Sequence, residues 1–465
     1  MVAIVWFRND LRLRDHLALE AAIQTGQPVF PIYIYDDHSS RPLGGASKWW
    51  LHHSLSSLKE RFKQLGADLI LRKGNAFEVL KSISEKLPCS HIFWHRRYDQ
   101  QGRHQDQTIK AYFKDRMICQ SFNGSVLFES PVIKNKQGNA FKVFTPFWKH
   151  CLQQSQVDQP VAAPSSINFD PSFKNYCQAI DSFDLLPKHP NWAAGFHSMW
   201  QPGEEGARHR LQSFLDSSIA DYKTQRNTPA TLATSSLSPY IRWGEISVRD
   251  LWYKIRETTF RERCEASGQK FLTELGWREF CTYTLFHYPT LANQPLRQEF
   301  KHFLWNTNET LFKAWTKGQT GYPLVDAGMR QLWATGYMHN RVRMVTASFL
   351  TKHLLQPWQK GEEWFWDTLV DADLASNAFN WQWVAGCGAD AAPYFRIFNP
   401  TLQAIKFDPK GDYIKQWIPE LQNTPHQFIH EPWRDQTRPQ NYPQPIISHQ
   451  KAREKALLHF KNLSL

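Results

Sequence analysis

Residues 371–400, DADLASNAFNWQWVAGCGADAAPYFRIFNP, set two acids, an amide and two indoles among small residues. Asp371 and Asp373 are two apart, Asn377 follows one turn later, and Trp381 and Trp383 are again two apart. A packed core gains little from acids and an amide beside large aromatics. A cavity for a flat, polar, aromatic guest gains much. Small residues such as Ala372 leave room, indoles supply π-faces, and the acids and amide supply directed hydrogen bonds.

Three more segments carry compatible groups. TSSLSPYIRWG (234–244) follows Tyr222 and puts Thr234, Ser235, Ser236, Leu237 and Ser238 at a helix start. Unsatisfied N–H groups there can hold a pyrophosphate, although Ser or Thr before a helix is usually only a cap. HNRVRM (339–344) contains Asn340, Arg341, Arg343 and Met344, and ELGWREF (274–280) contains Glu274, Trp277 and Arg278.

Together these segments resemble the DNA photolyase and cryptochrome family, whose patterns include T-S-x-L-S-P-Y-L-x-x-G and E-L-x-W-R-E-F. The resemblance runs from WFRNDLRLRDHLAL (6–19) to YPQPI (442–446) and is closest to bacterial photolyases for cyclobutane pyrimidine dimers. It implies FAD held by Tyr222, 234–238, Arg343, Asp371, Ala372, Asp373 and Asn377, with Arg343 paired to Asp371. Glu274, Asn340, Met344 and Asn377 are implied to serve the reaction. Trp277 and Trp383 would wall a flipped dimer, and Arg226, Arg278, Arg341 and Gln403 would contact the DNA strand. Trp381, Trp358 and Trp305 match the family's electron-transfer chain.

The implied activity is light-driven repair, in which excited reduced FAD lends an electron to the dimer. The alternative is a cryptochrome-type blue-light photoreceptor. Asn377 favours repair, because an amide cannot exchange a proton at ordinary pH. Met344, Glu274 and the lack of a long tail point the same way. A flavoprotein that binds nucleic acid without photochemistry would leave the Trp chain unused. A light-harvesting antenna chromophore is also implied. Methenyltetrahydrofolate is favoured by PLGGASKWWLHHSL (42–55); a deazaflavin, a second flavin or an empty cleft stay open. One folate mode is disfavoured, because Gln101 and Gly102 stand where that branch carries Asn-Glu. Trp49 and Trp50 read better as helix packing than as chromophore contacts.

These groups must be positioned by two kinds of architecture. VAIVWF (2–7), PVFPIYIY (28–35), ADLILR (67–72) and HIFWH (91–95) are apolar runs separated by helical patterns, which predicts a parallel, Rossmann-like α/β sheet over 1–130. No GxGxxG follows the first run, so a dinucleotide site there is unsupported. Residues 131–202, rich in Pro, Ser, Asn and Gln, read as a surface connection between domains. From 203 to 465 strand patterns vanish, and helical stretches at 204–216, 267–288, 309–318 and 326–355 predict an all-α FAD-binding domain.

At 465 residues the chain exceeds one ordinary core. Its net charge of +12 suits a polyanion such as damaged DNA. No apolar run spans a membrane and no cleavable leader is evident, which implies a cytoplasmic location; a monomer is expected. Seven scattered cysteines without a CxxC argue against a zinc site, an iron–sulfur cluster or a disulfide framework.

Overall fold

The computed structural model describes residues 1–37, 41–154, 156–391, 395–436 and 439–463. Strands β1 (Val2–Phe7), β2 (Val29–Tyr35), β3 (Ile70–Lys73), β4 (Cys89–His95) and β5 (Ile118–Phe122) form a parallel sheet in the order β3-β2-β1-β4-β5. Val5 pairs with Pro31 on one side and Phe93 on the other. Helices α1 (Leu17–Gln24), α2 (Gly45–Gln64), α3 (Ala76–Lys86) and α4 (Gln100–Phe113) alternate with the strands. Ala3, Val5 and Phe7 join a core with α1 and α2, whereas Val2, Ile4 and Trp6 join another with α3 and α4. β5 lies at the sheet edge and is half-exposed, so ICQSF lacks the apolar run that marks the other strands.

The connection after β5 holds more than surface loop. Helix α5 (Phe144–Gln154) buries Phe144, Phe147, Trp148 and Cys151. Their i, i+3, i+4, i+7 spacing is an amphipathic stripe that the polar flanks conceal.

The helical domain contains α6 (Glu204–Ser217), α7 (Tyr222–Gln225), α8 (Ser238–Arg242), α9 (Val248–Arg261), α10 (Glu265–His287), α11 (Glu309–Thr316) and α12 (Pro323–Thr335). There follow α13 (Asn340–Ser348), α14 (Trp358–Thr368), α15 (Leu374–Ala385), α16 (Pro400–Phe407), α17 (Asp412–Trp417) and α18 (His449–Lys461). The pattern expected as one helix over 326–355 is broken at Gly336. Its φ of +67° ends α12, and a Cβ there would collide with Val370 and Phe196. His339 then caps α13 by accepting the Arg341 N–H. Beyond α13 a single π turn, Phe349–His353, presents the buried Lys352 to the Ala385 carbonyl, closing the C-terminus of α15.

In an open α/β sheet, ligands bind beyond the strand ends where the order reverses, here between β1 and β4. That crevice is occupied by protein. Gly244 (φ +66°) sits where a Cβ would meet the Asn9 carbonyl, and Leu11 N–H donates to the Trp243 carbonyl at 3.0 Å. Beneath it, buried Asp10 accepts from His95 Nδ1 at 2.8 Å and lies 3.1 Å from His16 Nε2. His16 Nδ1 accepts the Leu19 N–H, which turns Nε2 toward Asp10, and the three side chains form one buried polar cluster.

Buried carboxylates tie the two regions together. Asp15 accepts from Val161 N–H, Ser247 and Arg249, and Glu204 accepts from Leu13 N–H. Glu245 accepts from Trp50 Nε1 at 3.1 Å and Gly203 N–H at 2.8 Å. Trp49 and Trp50 are both buried in this packing. Among the described residues no helix is long and apolar enough to cross a membrane. The seven cysteines are free thiols, three of them buried and four half-buried.

Burial pushes the Glu245 carboxyl up to about 8, against weaker lowering by Ser54, Gly203 and Trp50. The fold therefore keeps a proton that the unfolded chain releases near about pH 4.3. This contribution is full below that value and falls by up to about 1.4 kcal/mol per pH unit on the way to the folded value. Glu245→Gln, which imitates the protonated acid, should flatten that slope in urea midpoints taken between about pH 5 and 8.

Candidate functional site

The helical domain encloses a cavity of about 520 Å³. Tyr222 and Arg226 line it from α7, and Thr234, Ser235, Ser236, Leu237 and Ser238 from the turn into α8. Glu274, Trp277 and Arg278 come from α10, and Asn340, Arg341, Arg343 and Met344 from α13. Asp371, Ala372 and Asp373 precede α15, which adds Asn377, Trp381 and Trp383. The break at Gly336 matters here, because it frees α13 to enter the cavity apart from α12.

The polar part centres on Asp371. Ser238 Oγ donates to its Oδ2 at 2.6 Å and Arg343 Nη2 at 2.9 Å, while Oδ1 is buried without a partner. Burial works against the charge on Arg343, and Asp371 outweighs it. Arg343 Nε is fixed by the Met338 carbonyl at 2.7 Å, and Arg242 Nε donates to the Ala372 carbonyl at 2.7 Å. Ser236 holds a left-handed φ of +51°, a strained conformation for a serine. Asp373 accepts the Ser376 N–H at 2.8 Å and so caps α15 while lining the cavity. Asn377 Nδ2 donates to Glu362 Oε1 at 2.8 Å.

The aromatic and basic part lies on α10 and α13. One face of Trp277 stacks on Phe144, with centroids 3.8 Å apart and planes 12° off parallel. Trp383 Nε1 donates to the Asp390 carbonyl at 3.1 Å. Glu274 pairs with Arg226 at 2.9 Å and Lys270 at 2.7 Å. Arg341 Nη2 donates to Asn227 at 2.8 Å, and Arg278 Nη1 to the Ser125 carbonyl at 2.7 Å. Burial first, then Arg343, Arg226 and Arg341, lowers His339 to about 4, so this imidazole is neutral at pH 7.

Gln403, half-buried on α16, is outside the cavity lining, as are Trp358 and Trp305. Trp381 and the residue after Trp305 each touch the backbone of α14 or the turn before it. A Cβ at Gly361 would meet the Trp381 ring at 2.2 Å, so that ring rests on the α14 backbone one turn from buried Trp358. Asn306, beside the half-buried Trp305, donates its N–H to the Leu355 carbonyl at 2.6 Å, just before α14.

Several lining or supporting residues were missed in sequence. Arg242 lies inside the motif 234–244, but nothing in the sequence singles it out from the other residues of that segment. Tyr337, which reaches Ser236 and Thr234, follows the Gly336 break that the helical pattern hid. Glu362 ends the segment PWQKGE (357–362), in which Trp358 is the residue the family resemblance marks.

The cavity's polar and aromatic arrangement agrees with the family comparisons. A model described as the FAD binding domain of DNA photolyase matches residues 271–462, and one described as DNA photolyase matches 3–165. The chain is 45% identical to a deoxyribodipyrimidine photo-lyase of Agrobacterium fabrum, covering 98% of this chain and 96% of that protein. The chain belongs to the DNA photolyase family. This photolyase-family chain also superposes on a bacterial class III photolyase from Agrobacterium tumefaciens with a TM-score of 0.96 at 44% identity, covering 100% and 97% of the two chains. It is 35% identical to cryptochrome-1 of Arabidopsis thaliana, covering 98% of this chain and 69% of that one.

The residues present fit FAD. Paired hydroxyls at a helix start suit phosphates, Arg343 beside the orphaned Asp371 oxygen suits a polar ring edge, and Phe365, Trp381 and Val384 suit an apolar face. Asp371→Ala removes the shared acceptor of Ser238 and Arg343. FAD affinity should drop roughly tenfold or more, as expected for a bond worth about 1.5–3 kcal/mol to a charged group. The flavin-to-protein absorbance ratio after gel filtration measures it.

Proposed function

We propose that the protein is a light-dependent photolyase that reverses cyclobutane pyrimidine dimers in DNA. The observation that carries this reading is the meeting, in one cavity, of the Ser238–Asp371–Arg343 polar cluster with two indoles and Glu274. When bound, FAD supplies a light-excited electron donor. The protein's part is to bind, orient and exclude water.

Tyr222, 234–238, Arg343, Asp371, Ala372, Asp373 and Asn377 are assigned to the cofactor. Trp277, rigidly backed by Phe144, and Trp383 offer flat walls for bases that have left the stack. Glu274 accepts hydrogen bonds from a base edge, and Arg226 holds it in place. Asn340 offers both a donor and an acceptor, and Met344 a soft apolar contact. Arg226, Arg278, Arg341 and Gln403 are assigned to the DNA strand, giving affinity without sequence preference. Neutral His339 is a poor proton donor, which speaks against chemistry that needs an imidazolium here. Trp381, Trp358 and Trp305 are assigned to re-reduction of the cofactor. The reading also includes a cytoplasmic monomer and a methenyltetrahydrofolate antenna.

A cryptochrome-type photoreceptor is the second reading, favoured by the match to the Arabidopsis protein. Asn377 and Met344 favour repair.

Irradiating the FAD-loaded, reduced protein with ultraviolet-damaged oligothymidylate under blue light should restore the thymine absorbance. No recovery would move the assignment to the photoreceptor. Trp305→Phe should slow photoreduction yet leave repair by chemically reduced protein intact. Equal loss of both activities would remove Trp305 from the chain.

A further inference from the structure

The Asn377 amide is fixed from behind the cavity. Its Nδ2 donates to the Glu362 backbone carbonyl at 2.9 Å and to Glu362 Oε1 at 2.8 Å. A carbonyl and a carboxylate only accept, so the nitrogen's placement is forced and both amide hydrogens are committed. What remains for a guest is Oδ1, an acceptor. The carboxylate half of this grip holds only while Glu362 is an anion. With Glu362 protonated, its O–H competes for Oδ1 and the backbone carbonyl alone still holds Nδ2, so the amide's orientation is loosened.

Glu362 is an improbable anion by position, with its side chain 3% exposed. Burial pushes its carboxyl above the ordinary glutamate range; Arg41 is the strongest opposing influence, Asn377 the next, and neighbouring Glu363 pushes up again. Arg41 lies in the first domain, 321 positions away in sequence. Its Nη2 reaches the two Glu362 oxygens at 2.7 and 2.5 Å, and its guanidinium lies 4.2 Å over the Trp366 ring. The segment bearing it is itself held. Trp366 Nε1 donates to the Pro42 carbonyl at 2.8 Å, and Gly45 N–H to Asp367 at 2.7 Å. At Gly44 a Cβ would collide with the Trp366 carbonyl.

We propose that Arg41 is a positioning residue: through Glu362 it fixes the Asn377 amide so that an acceptor, not a donor, meets the guest in the cavity. The guest so selected presents a hydrogen-bond donor at that edge. The identity of the guest rests on the flavin reading; the relay rests on geometry alone. It also gives the first domain a hand in the cofactor site, across the domain boundary.

The test uses the protein as purified, with asparagine side chains labelled in ¹⁵N. The Asn377 amide signals are assigned by their loss in Asn377→Ala, then followed from about pH 5 to 9. In the wild type and in Arg41→Lys, which keeps the charge, any step should lie toward the acid end of that range. In Arg41→Met the step should move to clearly higher pH. In Glu362→Gln, which carries its own N–H donors, they should be displaced at every pH. Arg41→Met signals that track the wild type, in protein with native circular dichroism, overturn the proposal. So does Arg41→Lys moving as far as Arg41→Met, which makes packing the cause and not charge. Should Arg41→Met fail to fold, Glu362→Gln decides alone, and a wild-type position there refutes the relay. The signals report with or without flavin. A colourless preparation would sink the flavin reading while the titration still judges Arg41.

Discussion

Asp371 is the constraint on which the site depends. A carboxylate this deeply buried persists only when donors surround it, because desolvation of an unpaired charge is severe. Here the donors are Ser238 at the start of α8 and Arg343 on α13, while Arg242 holds the next carbonyl, that of Ala372. Two segments distant in sequence, α8 and α13, are thereby fixed to the approach to α15. With that approach fixed, the helix delivers Asn377, Trp381 and Trp383 to one cavity. Its far end is fastened independently by Lys352, so its register is set at both ends.

The same device recurs between the domains. Asp15, Glu204 and Glu245 are buried and take backbone or indole N–H donors from across the interface. Such contacts are directional, unlike apolar packing, and they fix one relative orientation. The crevice at the sheet's switch point is filled as a result. A fold that elsewhere offers its strand ends to nucleotides here uses them to dock its partner domain.

Much of this was legible in the sequence because the chemistry is local. Asp371, Asn377 and Trp381 fall within a few turns of one helix, so spacing alone places them together. The parallel sheet was legible where strands are buried on both faces, and illegible at half-exposed β5. Helix α5 was hidden by polar neighbours although its stripe is regular. The break at Gly336 was hidden because the helical pattern continues through it; only the left-handed backbone ends the helix. Arg41 had no local signal at all. Its meaning depends on Glu362, and nothing in the first domain's own pattern marks that contact.

On the proposed tryptophan chain, Gly361 has a consequence for how charge would travel. Tunnelling between aromatic rings weakens steeply with each added ångström, and a helix normally keeps a neighbour at side-chain length. By having no side chain where the Trp381 indole lands, α14 lets that ring lie against its peptide backbone, one turn from Trp358. The approach of the Trp381 ring to the helix that carries Trp358 is therefore set by a missing methyl group. Even alanine at that position would hold the ring off that backbone.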